Sequence, residues 1–352
     1  MQIVFLAALV ITSIINSKLI INDDYCDKKQ TNAVKGICIG LVFLSHSNGY
    51  LDYGNTIYDR IYSIPFYLIG QLMVVMFLFY SGYGIAVQYQ KQSEKYLKHF
   101  FYKRIVKTEL HFALGVLIFF LLNIVLGTQK SLYETALSFI GWTTIGNSNW
   151  YIFDILLLYF ATYTTFKVAK KRLHIITGIW IASFLAWIFL YITKGKDQWW
   201  YDTLLTYPLG FTFAFLKPEL DKKINDNKHW LISMAGVMVC FIVLYVLRYP
   251  IPQTLCSLLF AALVILLTKR LLLGNAVLYW LGTRLFEIYL FQRIPMIILS
   301  HYGINRPLIF IGISIIVTFI IAEGMHRLYG IIDNKLDTII IHNDEKHHLI
   351  TN

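Results

Sequence analysis

Charge is scarce in this sequence: Asp, Glu, Lys and Arg make up only 14% of its 352 residues, against about 25% in an ordinary soluble domain. A chain so poor in charge and 57% hydrophobic cannot keep its surface in water, so lipid is its bulk solvent. Cysteine is scarce too. Cys26, Cys38, Cys240 and Cys256 show no paired ligand spacing, so neither a zinc site nor a disulfide framework is expected, and no metal or permanently bound cofactor. Acidic residues are fewer than basic ones, 20 against 31, for a net charge of +11. Nucleic acid is still not an expected partner, because the basic residues fill short gaps between apolar runs instead of one face or one tail. The seven prolines are scattered, and neither a half-to-half match nor a short repeat is visible.

What is present is a succession of apolar runs. A membrane span needs ~20 mainly apolar residues, since only a helix satisfies its own backbone in hydrocarbon. Such runs fall at 1–22, 34–50, 62–88, 110–127, 149–168, 174–193, 200–216, 230–247, 252–268, 283–301 and 307–329. The first lacks a basic start and a small-residue cleavage site, and so reads as a span rather than a signal peptide. Segment 128–148 is too polar to cross, while Trp142 suits the headgroup zone, which makes it an outer interfacial or re-entrant piece. The expected fold class is all-α, a polytopic integral membrane protein. It comprises an N-terminal transmembrane helix over 1–22, a ten-helix membrane domain over 32–330 and a solvated cytoplasmic tail over 331–352.

Orientation follows from the loops. Lys28, Lys29 and Lys35, then Lys91, Lys95, Lys98, Lys103, Arg104 and Lys107, then Lys167, Lys170, Lys171 and Arg172, then Lys217, Lys222, Lys223 and Lys228, then Lys269, Arg270 and Arg284, then Arg327, Lys335 and Lys346 crowd alternate connections. The intervening connections carry only Arg60, Lys130, Lys194, Lys196, Arg248 and Arg306. Basic loops stay in the cytoplasm, so the N-terminus is expected outside and the C-terminus inside.

Ionisable residues within spans are costly and mark functional positions; here they are His46, Asp154, Glu287, Arg293 and Glu323. His46 is the sharpest. Eleven residues separate it from Lys35, which is ~16 Å and three turns of helix, so both point to one side. Histidine titrates near neutrality and suits the removal of a proton from a hydroxyl nucleophile. A thioester held beside it would then need only positioning and an oxyanion donor. Ser45 and Asn48 are polar neighbours that could orient the ring or bind an acceptor. The bland reading is a histidine that bonds a facing carbonyl and joins two helices. Trp150 and Asp154 share a helix face, as a sugar platform or as an interfacial anchor with a wet carboxylate. Ser81 and Gly82 permit close approach of a substrate or of another helix. Glu323 and His326, three apart, are too little for a metal site.

Several segments in order resemble one family. Lys35-Gly36 leads through aliphatics to His46; Phe77-Leu78-Phe79-Tyr80-Ser81-Gly82-Tyr83 places aromatics before Ser-Gly-aromatic; His99-Phe100-Phe101-Tyr102-Lys103-Arg104 is basic; Asn149-Trp150-Tyr151-Ile152-Phe153 opens a helix; and Leu285-Phe286-Glu287-Ile288-Tyr289-Leu290-Phe291-Gln292 closes the series. Together these resemble the membrane acyltransferase-3 family over about 32–330. The resemblance implies a ten-helix bundle that takes acyl groups from cytoplasmic acyl-CoA to envelope carbohydrate, with His46 as catalytic base. It implies an O-acetyltransferase of the bacterial inner membrane using acetyl-CoA as donor and a capsular, lipopolysaccharide or lipid-linked sugar as acceptor. CoA phosphates would meet Lys35, Lys103 and Arg104, for which the plain alternative is positive-inside topology and contact with anionic lipid. Glu287 is then a second catalytic candidate, as an orienter of His46 or a binder of the acceptor hydroxyl. Ser45, Asn48, Ser81, Trp150, Asp154, Tyr289 and Gln292 are candidates for acceptor binding. Lys35 lacks the family's Arg partner, and Gln292 stands where the family carries His. Membrane lipid is the surrounding partner, and a homo-oligomer stays open. The rival class is a multi-span transporter or flippase of envelope saccharides.

Overall fold

The computed structural model describes residues 2–51, 56–247 and 249–350, with the backbone alone for 65, 67, 68, 93–95 and 340–350. Arg248, one of the sparse basic set, lies outside the described residues. Fifteen helices run in sequence: α1 Ile3–Ile14, α2 Lys28–Ser47, α3 Ile57–Ile69, α4 Leu72–Lys98, α5 Lys107–Leu126, α6 Leu132–Ser138, α7 Trp150–Val168, α8 Arg172–Ile192, α9 Thr206–Ile224, α10 Asn227–Leu247, α11 Pro250–Thr268, α12 Ala276–Thr283, α13 Leu285–Phe291, α14 Arg293–His301 and α15 Pro307–Ile350. The protein is an all-α polytopic membrane protein. Among the described residues six stretches are long and apolar enough to cross a membrane: Leu72–Gln92, Phe101–Leu126, Arg172–Ile192, Asn227–Leu247, Pro250–Thr268 and Pro307–Ile339. None of the residues of α10 is buried. A helix apolar all round and unburied is stable in lipid and not in water.

The boundaries differ from the expected spans for identifiable reasons. The leading helix is shorter than 1–22. It stops at Ile14, about 18 Å long at 1.5 Å per residue, and the chain turns at Asn16, whose φ is 62°. Lys18–Leu19 then pairs antiparallel with Leu271–Leu272, and Asn22 donates through Nδ2 to the Thr268 carbonyl. The start of the chain is thereby stitched to the connection between α11 and α12. Helix α2 begins at Lys28, earlier than 34, because the Asp27 side chain accepts from the Gln30 N–H at 2.6 Å and caps it. The run 62–88 divides into α3 and α4 at Gly70, which takes φ 48°. The run 283–301 divides between α13 and α14, where Pro295 has no N–H to give the Phe291 carbonyl one turn back. The expected tail over 331–352 continues α15 as helix as far as Ile350.

Two helix crossings set the frame, and both are built on reciprocal glycines. Where α2 meets α12, a Cβ on Gly36 would stand 2.0 Å from the Leu278 carbonyl oxygen, and one on Gly282 would stand 1.9 Å from that of Asn32. Where α4 meets α9, Gly82 lies against the Tyr207 carbonyl and Gly210 against that of Phe79, at 2.1 and 2.0 Å on the same measure. Small residues let membrane helices approach this closely, and the second crossing decides between the two readings of Gly82: it accommodates a helix.

Candidate active site

His46 stands in the last turn of α2. It is farther along its helix than a start at residue 34 would place it, because α2 has already risen about 27 Å from Lys28. It lines a cavity of about 700 Å³ together with Val42, Ser45, Met73, Val74, Tyr289 and Arg293. Lys35 sits on the same face of α2 three turns back, its ammonium 5.8 Å from the Tyr80 ring of α4. Tyr80 lies one heptad beyond Met73 on α4. One face of α2 therefore carries the base candidate into the cavity and the cation toward the opposite, basic end.

The walls of the cavity come from the end of the bundle that holds His46: Gly70 and Gln71 before α4, residues between 142 and 149 before α7, Trp150, and the connection from α8 to α9 with Gly195, Lys196, Asp197, Trp199 and Trp200. Residues 139–149 form a rigid wall because asparagine side chains satisfy their backbone. Asn149 donates to the carbonyls of Gly141 and Thr143 at 2.9 and 3.1 Å, and Asn123 donates to that of Ile145 at 2.7 Å. Gly141 and Gly146 supply the turns with φ of 74° and 116°. Glu134 also lines the cavity and closes a capping box with Ser131. Those bonds hold its carboxyl below the usual carboxylate range.

The mouth is closed by a lysine clasp. The Lys196 ammonium stands 3.6 Å from the ring centres of both Trp142 and Trp200 and donates to the Trp142 carbonyl at 2.7 Å. Two indole faces and a carbonyl are a strong set of partners for a cation. Burial nonetheless pushes this ammonium down to about 8, against the opposite pull of Asp154 and Asp197. Raising the pH through about 8 is expected to discharge the clasp and change the surroundings of both indoles. Tryptophan emission of the purified protein should then show a step near that pH which Lys196→Gln lacks; a step that survives the substitution would place the titration elsewhere.

The structure gathers some of the expected site residues and separates others. Ser45, His46, Trp150 and Tyr289 line the cavity. Asn48 does not; it accepts from the Tyr62 hydroxyl at 3.2 Å. Ser81 bonds the Tyr159 hydroxyl at 2.8 Å, between α4 and α7. Asp154 is wholly buried one turn beneath Trp150 and so forms no sugar platform with it. Gln292 is buried and donates to the Tyr289 carbonyl at 3.1 Å. Glu287 is not the neighbour of His46 that was expected: its carboxylate bonds Nδ1 of His326 on α15 at 2.8 Å, because two residues along a helix is more than half a turn away from Tyr289.

Toward the basic end, Arg104 and Lys35 are close enough for their charges to act on each other. Arg104 donates through Nε to the Tyr96 hydroxyl at 3.3 Å. Its neighbour Lys103 is exposed, so the two share a sequence motif but not a site. The stretch Phe101–Val106 that carries them is π-helical, a wide turn often found at functional positions.

Sequence reasoning missed Trp142, Trp199, Trp200 and Lys196 as cavity residues, and weighed Arg293 only as an intramembrane charge. The pair Trp199-Trp200 beside Lys196 in an otherwise sparse connection was the available signal. Among the described residues no group of three or more His, Cys, Asp or Glu is arranged to hold a metal ion.

An all-α membrane bundle with a histidine in a polar, aromatic-walled cavity at one end and a cationic pair toward the other defines the class as a polytopic membrane protein. The family follows from direct comparison: residues 29–323 match the family model for the acyltransferase-3 domain, and the chain belongs to that family of membrane acyltransferases. No curated protein and no solved structure matches it.

Proposed function

We propose that the protein is a membrane O-acyltransferase that moves an acyl group, acetyl in the simplest case, from cytoplasmic acyl-CoA to a hydroxyl of an envelope sugar. The observation that carries this reading is His46, whose imidazole lines a cavity with Trp142, Trp150, Trp199 and Trp200 while Lys35 stands on the same helix face toward the basic end. Indole faces pack against the apolar faces of sugar rings, and the polar lining residues Gln71, Asn147 and Asn149 offer hydrogen bonds to hydroxyls. At the basic end, which the distribution of Lys and Arg assigns to the cytoplasm, Lys35 and Arg104 are the partners for CoA phosphates. The family membership speaks for transfer over transport.

In the proposed reaction the sugar oxygen attacks the thioester carbonyl as His46 removes its proton. The tetrahedral adduct expels the CoA sulfur, which takes up that proton, leaving an O-acyl sugar and free CoA thiol. Purified protein in lipid vesicles, given acetyl-CoA labelled in the acetyl group and envelope saccharide stripped of its esters by mild alkali, is expected to move label into a hydroxylamine-sensitive ester on the saccharide. Label that stays on CoA under all acceptor conditions would sink the reading. Lys35→Ala is expected to raise the KM for acetyl-CoA by roughly tenfold, in line with the loss of one charge-assisted phosphate contact of about 1.5 kcal/mol, with the acceptor KM unchanged.

A further inference from the structure

A base removes the acceptor proton, but acyl transfer also places a negative charge on the former carbonyl oxygen, and a preorganised donor for that oxygen is commonly the largest single source of acceleration. Three residues that line the cavity, His46 on α2, Tyr289 on α13 and Arg293 on α14, each carry a polar atom that stands out: Nδ1, the hydroxyl and Nε. All three are buried, and none has a hydrogen-bond partner among the described residues. Buried polar atoms are almost always satisfied, and a guanidinium N–H left unpaired is among the costlier exceptions. Three such atoms on residues that line one cavity mark a place where a ligand oxygen, admitted by small side-chain shifts, would complete the bonding.

Arg293 is held for that role. Its guanidinium reaches the Tyr50 hydroxyl, which fixes the plane while leaving Nε free. The break in the chain at Gln292 sets Arg293 at the head of a new helix, so that it and Tyr289, four positions apart, both face the cavity. Its charge acts on His46, and the two residues line the same cavity. The ring centres of His46 and Tyr289 are 6.3 Å apart and tilted by 52°, an aromatic contact that holds the two side chains together at the cavity.

Resting on the acyl-transfer reading above, we propose that Arg293, assisted by the Tyr289 hydroxyl, donates hydrogen bonds to the oxyanion that forms on the acyl carbonyl beside His46, and is thus a catalytic residue. The sugar oxygen bonds to the carbonyl carbon as its proton passes to His46. The carbonyl π electrons move onto oxygen beneath Arg293, and their return breaks the carbon–sulfur bond.

The test is steady-state transfer from acetyl-CoA to mild-alkali-treated envelope saccharide by the purified full-length protein. Arg293→Gln is expected to lower kcat about 10²–10³-fold, the usual effect of deleting one oxyanion donor, with both KM values within about twofold of wild type. Tyr289→Phe, which removes a single oxygen, should lower kcat by about tenfold. Transfer by Arg293→Ala should recover partly when methylguanidinium is added, a result that a misfolded protein cannot give. Unchanged kcat in Arg293→Gln, or a loss carried wholly by the acceptor KM, would overturn the proposal and make Arg293 a binding group for the saccharide. Absence of transfer by the wild-type protein would instead sink the reading on which the proposal rests.

Discussion

His46→Gln is expected to lower kcat for acyl transfer by about 10²–10⁴-fold, the range that a positioned general base contributes, while leaving acetyl-CoA binding intact. Glutamine keeps much of the volume of the imidazole and its ability to hydrogen bond, so the cavity keeps its shape and only the ability to take a proton is lost. The other acidic groups lining the cavity are poor substitutes. Glu134 is committed to its own helix cap, which holds its carboxyl below the usual range and weakens it as a base. Asp197 lies on the mouth connection beside Lys196 rather than on the floor. Calorimetric titration with acetyl-CoA, run beside the transfer assay, separates the outcomes. Retained binding with lost turnover places His46 at the chemistry. Retained turnover removes it from the mechanism and directs attention to Asp197.

How far the sequence reveals this site depends on how far apart its parts lie along the chain. Lys35 and His46 are legible because one helix carries both, and the helical repeat fixes their common face. Even there the start of the helix was misplaced. Lys28-Lys29-Gln30-Thr31-Asn32 reads as a polar loop, although Asp27 with Gln30 three residues later is the pattern of a cap. For polar residues inside apolar runs the sequence shows the position but not the company. Glu287 was placed near His46, whereas its partner His326 comes from α15, and no periodicity within one helix shows which neighbour a face meets. The aromatic mouth was the least legible part. Trp142 and Trp200 belong to different connections, and only their meeting across Lys196 makes them one wall. The breaks at Gly70 and before Pro295 were hidden because each half of the run is apolar. A hydropathy pattern records the solvent that surrounds a helix, not its continuity.

The motif Ser81-Gly82-Tyr83-Gly84 contains two glycines that look alike in sequence and are expected to respond to alanine with opposite signs. A methyl group on Gly82 would stand 2.1 Å from the Tyr207 carbonyl oxygen and 3.0 Å from the Phe211 nitrogen, whereas a methyl on Gly84 meets nothing within 4 Å. Backbone atoms of α9 cannot swing aside as a side chain can, so Gly82→Ala must push the two helices apart by more than an ångström. Ordinary overpacking costs about 1–3 kcal/mol, and contact with backbone belongs at or above the top of that range. Gly84→Ala instead removes the conformational freedom of a mid-helix glycine and should stabilise by roughly 0.5–1 kcal/mol. Unfolding midpoints of the two variants in the same detergent should therefore fall on either side of the wild-type value, Gly82→Ala lower by roughly 6 °C or more. Equal shifts would show that α4 and α9 do not cross at Gly82. The displacement reaches function because α4 presents Met73 and Val74 to the cavity and Tyr80 to Lys35. Whatever Gly82→Ala survives as folded protein should bind the acyl donor weakly and transfer slowly, while Gly84→Ala works at the wild-type rate.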